Sequence, residues 1–172
     1  MAAPMLFLKM EIDGLAVTGT AENTKFREHI SIDGLSWSVS AKDLSSVPGN
    51  KVLGKVEPRL LVIEKSYDRS SSSLAQAMLD RKKVRKATIT MLNGEIVGAD
   101  GGNPELAVIT VVDGFVEQVD LSTAKAGKSA IEVKETIRLS FKSLTMTYFP
   151  GDTKRLGRGA GIDAALDAAS VK

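Results

Sequence analysis

The sequence predicts a mainly β protein, an antiparallel β-barrel with one flanking α-helix, and three observations carry that prediction. Long segments alternate apolar and polar residues as half-buried strands do, and only one segment has confident helical spacing. Apolar parity also changes within several segments, as it does where a sheet bulges or bends in order to close. Helices are missing from most connections, which argues against an α/β fold.

A chain of 172 residues suits one domain, which at this size buries about 70% of its extended-chain surface. Residues 1–150 read as the barrel domain and 151–172 as a tail. Leu6, Leu8, Met10 and Ile12 alternate with Phe7, Lys9 and Glu11, so the chain opens with a strand. The segment "HISIDGLSWSVS", His29 to Ser40, shifts parity between Ile30-Ile32 and Leu35-Trp37-Val39, by a turn or a bulge at Asp33-Gly34. The same device recurs as Asp13-Gly14 and Asp113-Gly114, and all three pairs are read as shaping bulges.

A loop of about fifteen residues, Ala41 to Lys55, follows, rich in Ser, Gly, Pro and Asn. Loops of that length in a compact domain usually have a use. The apolar run Leu60 to Ile63 suits a strand covered on both faces, with Pro58 at its start. Serines 70–73 supply an N-cap, and Leu74, Ala77, Met78 and Arg81 share one side of a helix expected near 72–83. Ala87 to Leu92 and Leu106 to Leu121 read as strands. Ile131, Val133, Ile137, Leu139 and Phe141 then alternate with Glu132, Lys134, Thr136, Arg138 and Ser140, Glu135 being the one charge in the apolar row. Parity changes again at Ser143, so this strand must bend or bulge.

Enzyme chemistry has little to work with. The absence of cysteine removes disulfides and thiolate sites, and the single His29, beside Glu28, cannot build a multi-histidine centre. No nucleophile elbow or phosphate-binding glycine loop occurs, and "GADGG" at 98–102 lacks the oxygen ligands of a calcium loop. No cofactor is expected. The amino terminus has no basic region ahead of its short apolar run, so neither a signal peptide nor stable membrane association is expected, and the default location is the cytoplasm.

A net charge of +2 predicts no polyanionic partner by itself. The run Arg81, Lys82, Lys83, Arg85, Lys86 reads as the cationic end of the helix followed by a solvated turn, or as a contact with an acidic partner. Eight aromatics, mostly at core parity, argue against single-stranded nucleic acid. The tail is glycine-rich and basic, then alanine-rich, with Ile162, Ala165, Leu166 and Ala169 on one side of a short helix. Alone such a tail frays, so a neighbouring subunit is its expected support.

The order of these segments resembles the hemolysin-coregulated protein family, Hcp, and the tail-tube proteins of contractile phages. The matching segments are "MLFLKMEIDGLAVTG", "HISIDGLSWSVS", "GKVEPRLLVIEKSYDRSSSSLAQAML" with its K-x-x-D-x-x-S, "KATITML", "LAVITVVDGFVEQVDLS" and "ETIRLSFKSLTMTY", together spanning about residues 5 to 149. The resemblance implies no catalytic residues, hexameric rings with sheets joined into a lumen wall, and rings stacked into a tube that conducts DNA or effector proteins. It implies a sheath, baseplate or spike and terminator proteins as partners, in a virion tail or in the cytoplasm with export by contraction.

By that resemblance the loop carrying Leu44, Ser45, Val47, Asn50, Val52 and Leu53 reaches a neighbouring ring. Arg81, Lys82, Lys83, Arg85 and Lys86 are then expected to face the sheath. Lys154, Arg155, Leu156, Arg158, Ile162 and Leu166 are expected to touch neighbouring subunits. The tail lacks the Gly-Trp segment common in secretion-system members, which points towards a phage-like tail. The alternative is a monomeric barrel that binds a small ligand or an oligonucleotide, recognisable by a lined internal cavity.

Overall fold

A computed structural model describes residues 5–41, 56–58, 60–94, 104–149 and 162–167. Among them the elements are β1 Leu6–Ile12, β2 Leu15–Val17, β3 Ile30–Ser31, β4 Gly34–Ser36, β5 Val39–Ala41, β6 Val56–Pro58, β7 Leu61–Ser66, α1 Ser70–Leu79, β8 Lys83–Leu92, β9 Glu105–Ala126, β10 Ala130–Leu139, β11 Ser143–Tyr148 and β12 Ile162–Asp167. One sheet runs in the order β2-β1-β8-β9-β10-β7-β4, with β11 beside β9, β12 beside β11 and β3 beside β1. A separate pair joins β5 to β6. The expected antiparallel, barrel-like sheet with one helix is therefore present, but its path is open, ending at β2 and β4.

The sheet folds over at β9. Residues 107–112 of this strand pair with β11, whereas residues from Val116 onward pair with β10. Between the two halves Asp113 adopts φ 56°. The chain linking β10 to β11 is held there by Ser140 N–H to Phe115 O, 3.0 Å, and by Lys142 N–H to the carbonyls of Val112 and Asp113, each 3.0 Å. Glu117 is the extra residue of a bulge, since Arg138 pairs with Gln118 and Leu139 with Val116. The parity change at Ser143 is this corner.

"HISIDGLSWSVS" resolves in the same way. Ile30 and Ser31 pair with β1, while Gly34 to Ser36 pair with β7, so the Asp33-Gly34 step carries the chain from one half of the sheet to the other. Asp13-Gly14 differs from the expected bulge. With φ 49° and 84° it is the hairpin turn between β1 and β2. The bulge lies opposite, at Arg85, because Glu11 pairs with Lys86 and Ile12 with Val84.

The core gathers Leu8, Met10, Ile30, Leu61, Ile63, Leu74, Ile89, Ile137, Leu139 and Leu144, each at most 1% exposed. Phe7 points to the opposite face of β1, where Phe26 stacks on it at 4.6 Å between ring centroids and covers it together with Ala21 and Leu92. His29 meets the edge of Phe26 and sets Nδ1 3.2 Å from the Arg27 carbonyl oxygen, so its neighbours are structural.

Two local expectations are corrected. The helix spans Ser70–Leu79 rather than 72–83, and Lys83, Arg85 and Lys86 belong to β8, so the basic run does not oppose a helix dipole. The alternating chain from Val84 onward has apolar partners on both sides in β1 and β9, which favours strand over further helix. In the tail, Ile162–Asp167 is a strand paired with β11 instead of a helix turn. An edge strand with unsatisfied backbone groups stabilises that choice more than the helix propensity of a few alanines.

Candidate functional site

The candidate site is the half of the sheet made of β4, β7, β10 and the outer part of β9, because its two faces have opposite chemistry. Register places Leu35, Ile63, Ile137 and Val119 in one row on the core side, and Leu61 beside Leu139 in another. The reverse side carries Ser36, Val62, Arg138 and Gln118 in one row, and Gly34, Glu64, Thr136 and Asp120 in the next.

The polar face largely neutralises itself. Lys134 Nζ lies 2.8 Å from both Asp33 and Glu132 and donates to Ser66 Oγ at 3.1 Å, while Ser66 Oγ donates to Asp33 at 3.1 Å. Arg138 pairs with Asp120, which also accepts from Gln118 Nε2 at 2.8 and 2.9 Å. Hydrogen bonding to Asp33 and then to Glu132 raises the Lys134 pKa to about 12. The Gln118 amide and then Arg138 hold Asp120 below its ordinary value, and the Ser140 hydroxyl and then Arg81 do so for Glu117. Individually such exposed pairs contribute little.

Their pH signature is nevertheless directional. Lys134 has a raised folded pKa, so its contribution is full below about 10.5 and is lost as pH rises through about 12. Glu117 and Asp120 are depressed, so theirs is present above the ordinary values of 4.5 and 3.8 and is lost as pH falls through the folded values. Melting temperatures measured across pH are expected to fall at both extremes. Glu117→Gln is expected to flatten the acid limb and leave the alkaline one unchanged; equal acid limbs in the two proteins would contradict the assignment.

Beneath the core side lies a buried ionic cluster. Lys65 follows Leu61 and Ile63 at core parity and is fully buried, and Glu135 is its cross-strand partner. Lys65 Nζ sits 2.7 Å from Glu135 Oε2 and 2.8 Å from Asp68 Oδ1, and donates to Ser71 Oγ at 3.0 Å and the Ser66 carbonyl at 2.9 Å. The Ser71 hydroxyl donates to Glu135, and the Asp68 N–H donates back to Ser71 Oγ at 2.9 Å. Asp68 also accepts from the Ser70 N–H at 2.9 Å, so Asp68 holds the start of α1 where a serine cap was expected. Lys65, Asp68 and Ser71 are the K-x-x-D-x-x-S of the sequence, and their role is to fasten α1 to β7 and β10.

The other predicted residues fall as follows. Of the basic run, Arg81 pairs with Glu117 at 3.1 Å and lies over the Phe115 ring, Lys82 approaches Asp80 at 3.7 Å, and Lys83 pairs with Asp113 at 3.0 Å. Arg85, at the bulge, and Lys86 hold no ion pair among the described residues. Trp37 packs edge-on to Phe141 at 6.3 Å between centroids, half-buried at the start of the loop. Leu44, Ser45, Val47, Asn50, Val52, Leu53, Lys154, Arg155, Leu156 and Arg158 lie outside the described residues, as does the "GADGG" loop; Ile162 and Leu166 lie in β12. Among the described residues no cluster of ligating side chains suits a metal ion, and no helix is long and apolar enough to cross a membrane.

The family model for the type VI secretion system effector Hcp matches residues 7–148. Among solved structures, a type six secretion system protein is similar with TM-score 0.79 and 20% identity, over 97% of this chain and 98% of its own. Hcp1 from Salmonella typhimurium gives 0.71 and 22% over 98% of each chain. A type VI secretion system effector from Yersinia pestis gives 0.69 and 21% over 95% and 99%. At these identities the likeness to each structure is one of fold. No curated protein matches the chain.

Proposed function

The chain belongs to the Hcp family of the type VI secretion system, a family of tube proteins rather than enzymes, and we propose that it is the repeating subunit of such a tube. Six copies close a ring, rings stack, and the polar face of β4, β7, β10 and outer β9 lines a lumen through which effector proteins pass. The observation that carries this reading is the open sheet. Among the described residues β4 pairs only with β7, and the Val116–Ala126 half of β9 pairs only with β10, so within them this four-stranded half has an unpaired edge on each side. Exposed edges are an aggregation liability unless they are used, and a ring of joined sheets uses both. The self-paired charges suit a wet wall, since lumen groups already satisfied by neighbours grip a passing protein weakly.

Membership of a type VI secretion system family supports a secretion-system setting for the proposed tube, and the phage-tail reading drawn from the missing Gly-Trp segment is not retained. In that setting the chain is exported by contraction of a surrounding sheath, with baseplate, spike and terminator proteins as further partners. The loop at 41–54 reaches the adjacent ring and the tail contacts neighbouring subunits. Electron microscopy of the purified protein tests the reading: annular particles or stacked tubes are expected, and a uniform monomer at high concentration would overturn it.

The sheath contact narrows to Arg85 and Lys86, since Arg81, Lys82 and Lys83 already have acidic neighbours. Arg85→Glu combined with Lys86→Glu is expected to leave rings intact and to abolish assembly of sheath around the tube. Normal sheath assembly on the variant would remove this surface from consideration.

A further inference from the structure

The core-side rows of β4, β7, β10 and outer β9 are sealed in their middle and open at their ends. In one row Ile63 and Ile137 are at most 1% exposed, whereas Leu35 on β4 and Val119 on β9 are each partly exposed. The next row runs from the buried Lys65 and Glu135 to Leu121 on β9, which is 57% exposed, and farther out at the same parity Ile131 is 72% exposed. At the opposite edge Trp37, two residues past Leu35 and at its parity, is half-buried against Phe141. Apolar side chains at core parity on both outermost strands, each with water on its outer side, are what a core cut through its sheet leaves behind.

Strand direction says how the cut closes. Each of the four strands is antiparallel to the next, so β4 and outer β9 run in opposite directions. A neighbour related by rotation about an axis along the strands therefore brings its β4 antiparallel to β9, the commoner kind of pairing. The same rotation keeps the core sides of the two copies on one side of the joined sheet and their polar sides on the other. Leu121 then lies beside the strand that carries Leu35 and Trp37 of the next copy.

We propose that outer β9 of one copy takes β4 of the next as its antiparallel neighbour, with Leu121 packing against Leu35 and Trp37 of that copy, so that the apolar rows run on from subunit to subunit. The occupant is a second copy because each edge carries the half of the core that the other lacks. Two β9 edges joined by a two-fold axis would leave Leu35 and Trp37 open, two β4 edges would leave Val119 and Leu121 open, and only β4 against β9 covers both. Such a contact is heterologous and closes into a ring when its rotation does. It rests on the tube reading and adds to it which edge meets which and the apolar contact that joins them.

The chain has no cysteine, so introduced thiols report cleanly. Ser36→Cys with Gln118→Cys, and separately Ser36→Cys with Ser122→Cys, place thiols at exposed positions on the two edges. Within one chain Ser36 and Gln118 stand three strand spacings apart, about 14 Å, so a bis-maleimide of shorter span links copies rather than closing on one. The parent and the variants are imaged by electron microscopy and run on denaturing gels. Annular particles, with a ladder of covalent oligomers from at least one double variant and none from any single variant, are the expected result. Leu121→Lys alters an exposed side chain, so it is expected to keep the circular dichroism of the parent and to lose the annular particles. Rings without a ladder from either pair, a ladder from a single variant, or undiminished rings from Leu121→Lys would each overturn the seam and leave the tube reading standing. A parent that remains monomeric would overturn both.

Discussion

Replacing Lys65 by methionine is expected to cost about 3–5 kcal/mol of stability, the penalty of removing one partner from a buried ion pair. Lys65 is fully buried and Glu135 is 3% exposed, so water cannot replace the ammonium. Glu135 would keep only the Ser71 hydroxyl, and Asp68 would lose its cation while still holding the first turn of α1. The double variant Lys65→Met/Glu135→Leu removes both charges of the closest pair and is expected to recover much of the loss, as hydrophobic replacements of whole buried pairs often do. Urea unfolding at one fixed protein concentration measures both, since assembly would otherwise add its own stabilisation. A single variant within about 1 kcal/mol of the parent would show that the cluster is not the fastener described.

Gly114→Ala is expected to destabilise by about 3 kcal/mol or more, at the upper end of overpacking effects. A Cβ at position 114 would lie 1.8 Å from the Ser140 carbonyl oxygen and 2.7 Å from its carbon. Those atoms are backbone, fixed by the hydrogen bonds that run from Ser140 and Lys142 to β9, so the strands of the corner would have to part. Gly14→Ala is the useful comparison. Its φ of +84° with open space around it makes the cost one of left-handed backbone alone, about 1–2 kcal/mol. Thermal melts of the two variants should separate clearly, and coincident melts would contradict the packing argument. Loss of the corner is also expected to abolish rings, because it sets the angle between the two halves of the sheet.

Much of the fold was legible because period and parity are local properties. Leu6 to Ile12 alternate, Leu74 and Ala77 stand three apart, and both became the elements their spacing implies. Parity breaks at Asp33-Gly34 and at Ser143 marked real changes of pairing partner. The candidate face was half legible. Glu132, Lys134 and Arg138 announced a polar row, but Asp33, which pairs with Lys134, comes from the bend between β3 and β4 101 residues away, and Asp120 meets Arg138 only through the β9–β10 pairing. Lys65 stood at core parity after Ile63, and Glu135 interrupted an apolar row. Each looked anomalous alone, and only the β7–β10 register makes them answer each other. The helix was drawn too long because Arg81, Lys82 and Lys83 extend a plausible helical face, whereas pairing with β1 and β9 claims the chain from Lys83 onward.

The sequence by itself determined the fold class, the single helix, the order of segments and the family they resemble, since these depend on side-chain periodicity and on the succession of elements. Tertiary structure decided which anomalies cancel, which Asp-Gly pair is a turn and which a corner, and that the sheet stays open with apolar side chains beyond its core. Those outcomes depend on which strands become neighbours and in what register, and a one-residue change of register reverses which face every side chain meets.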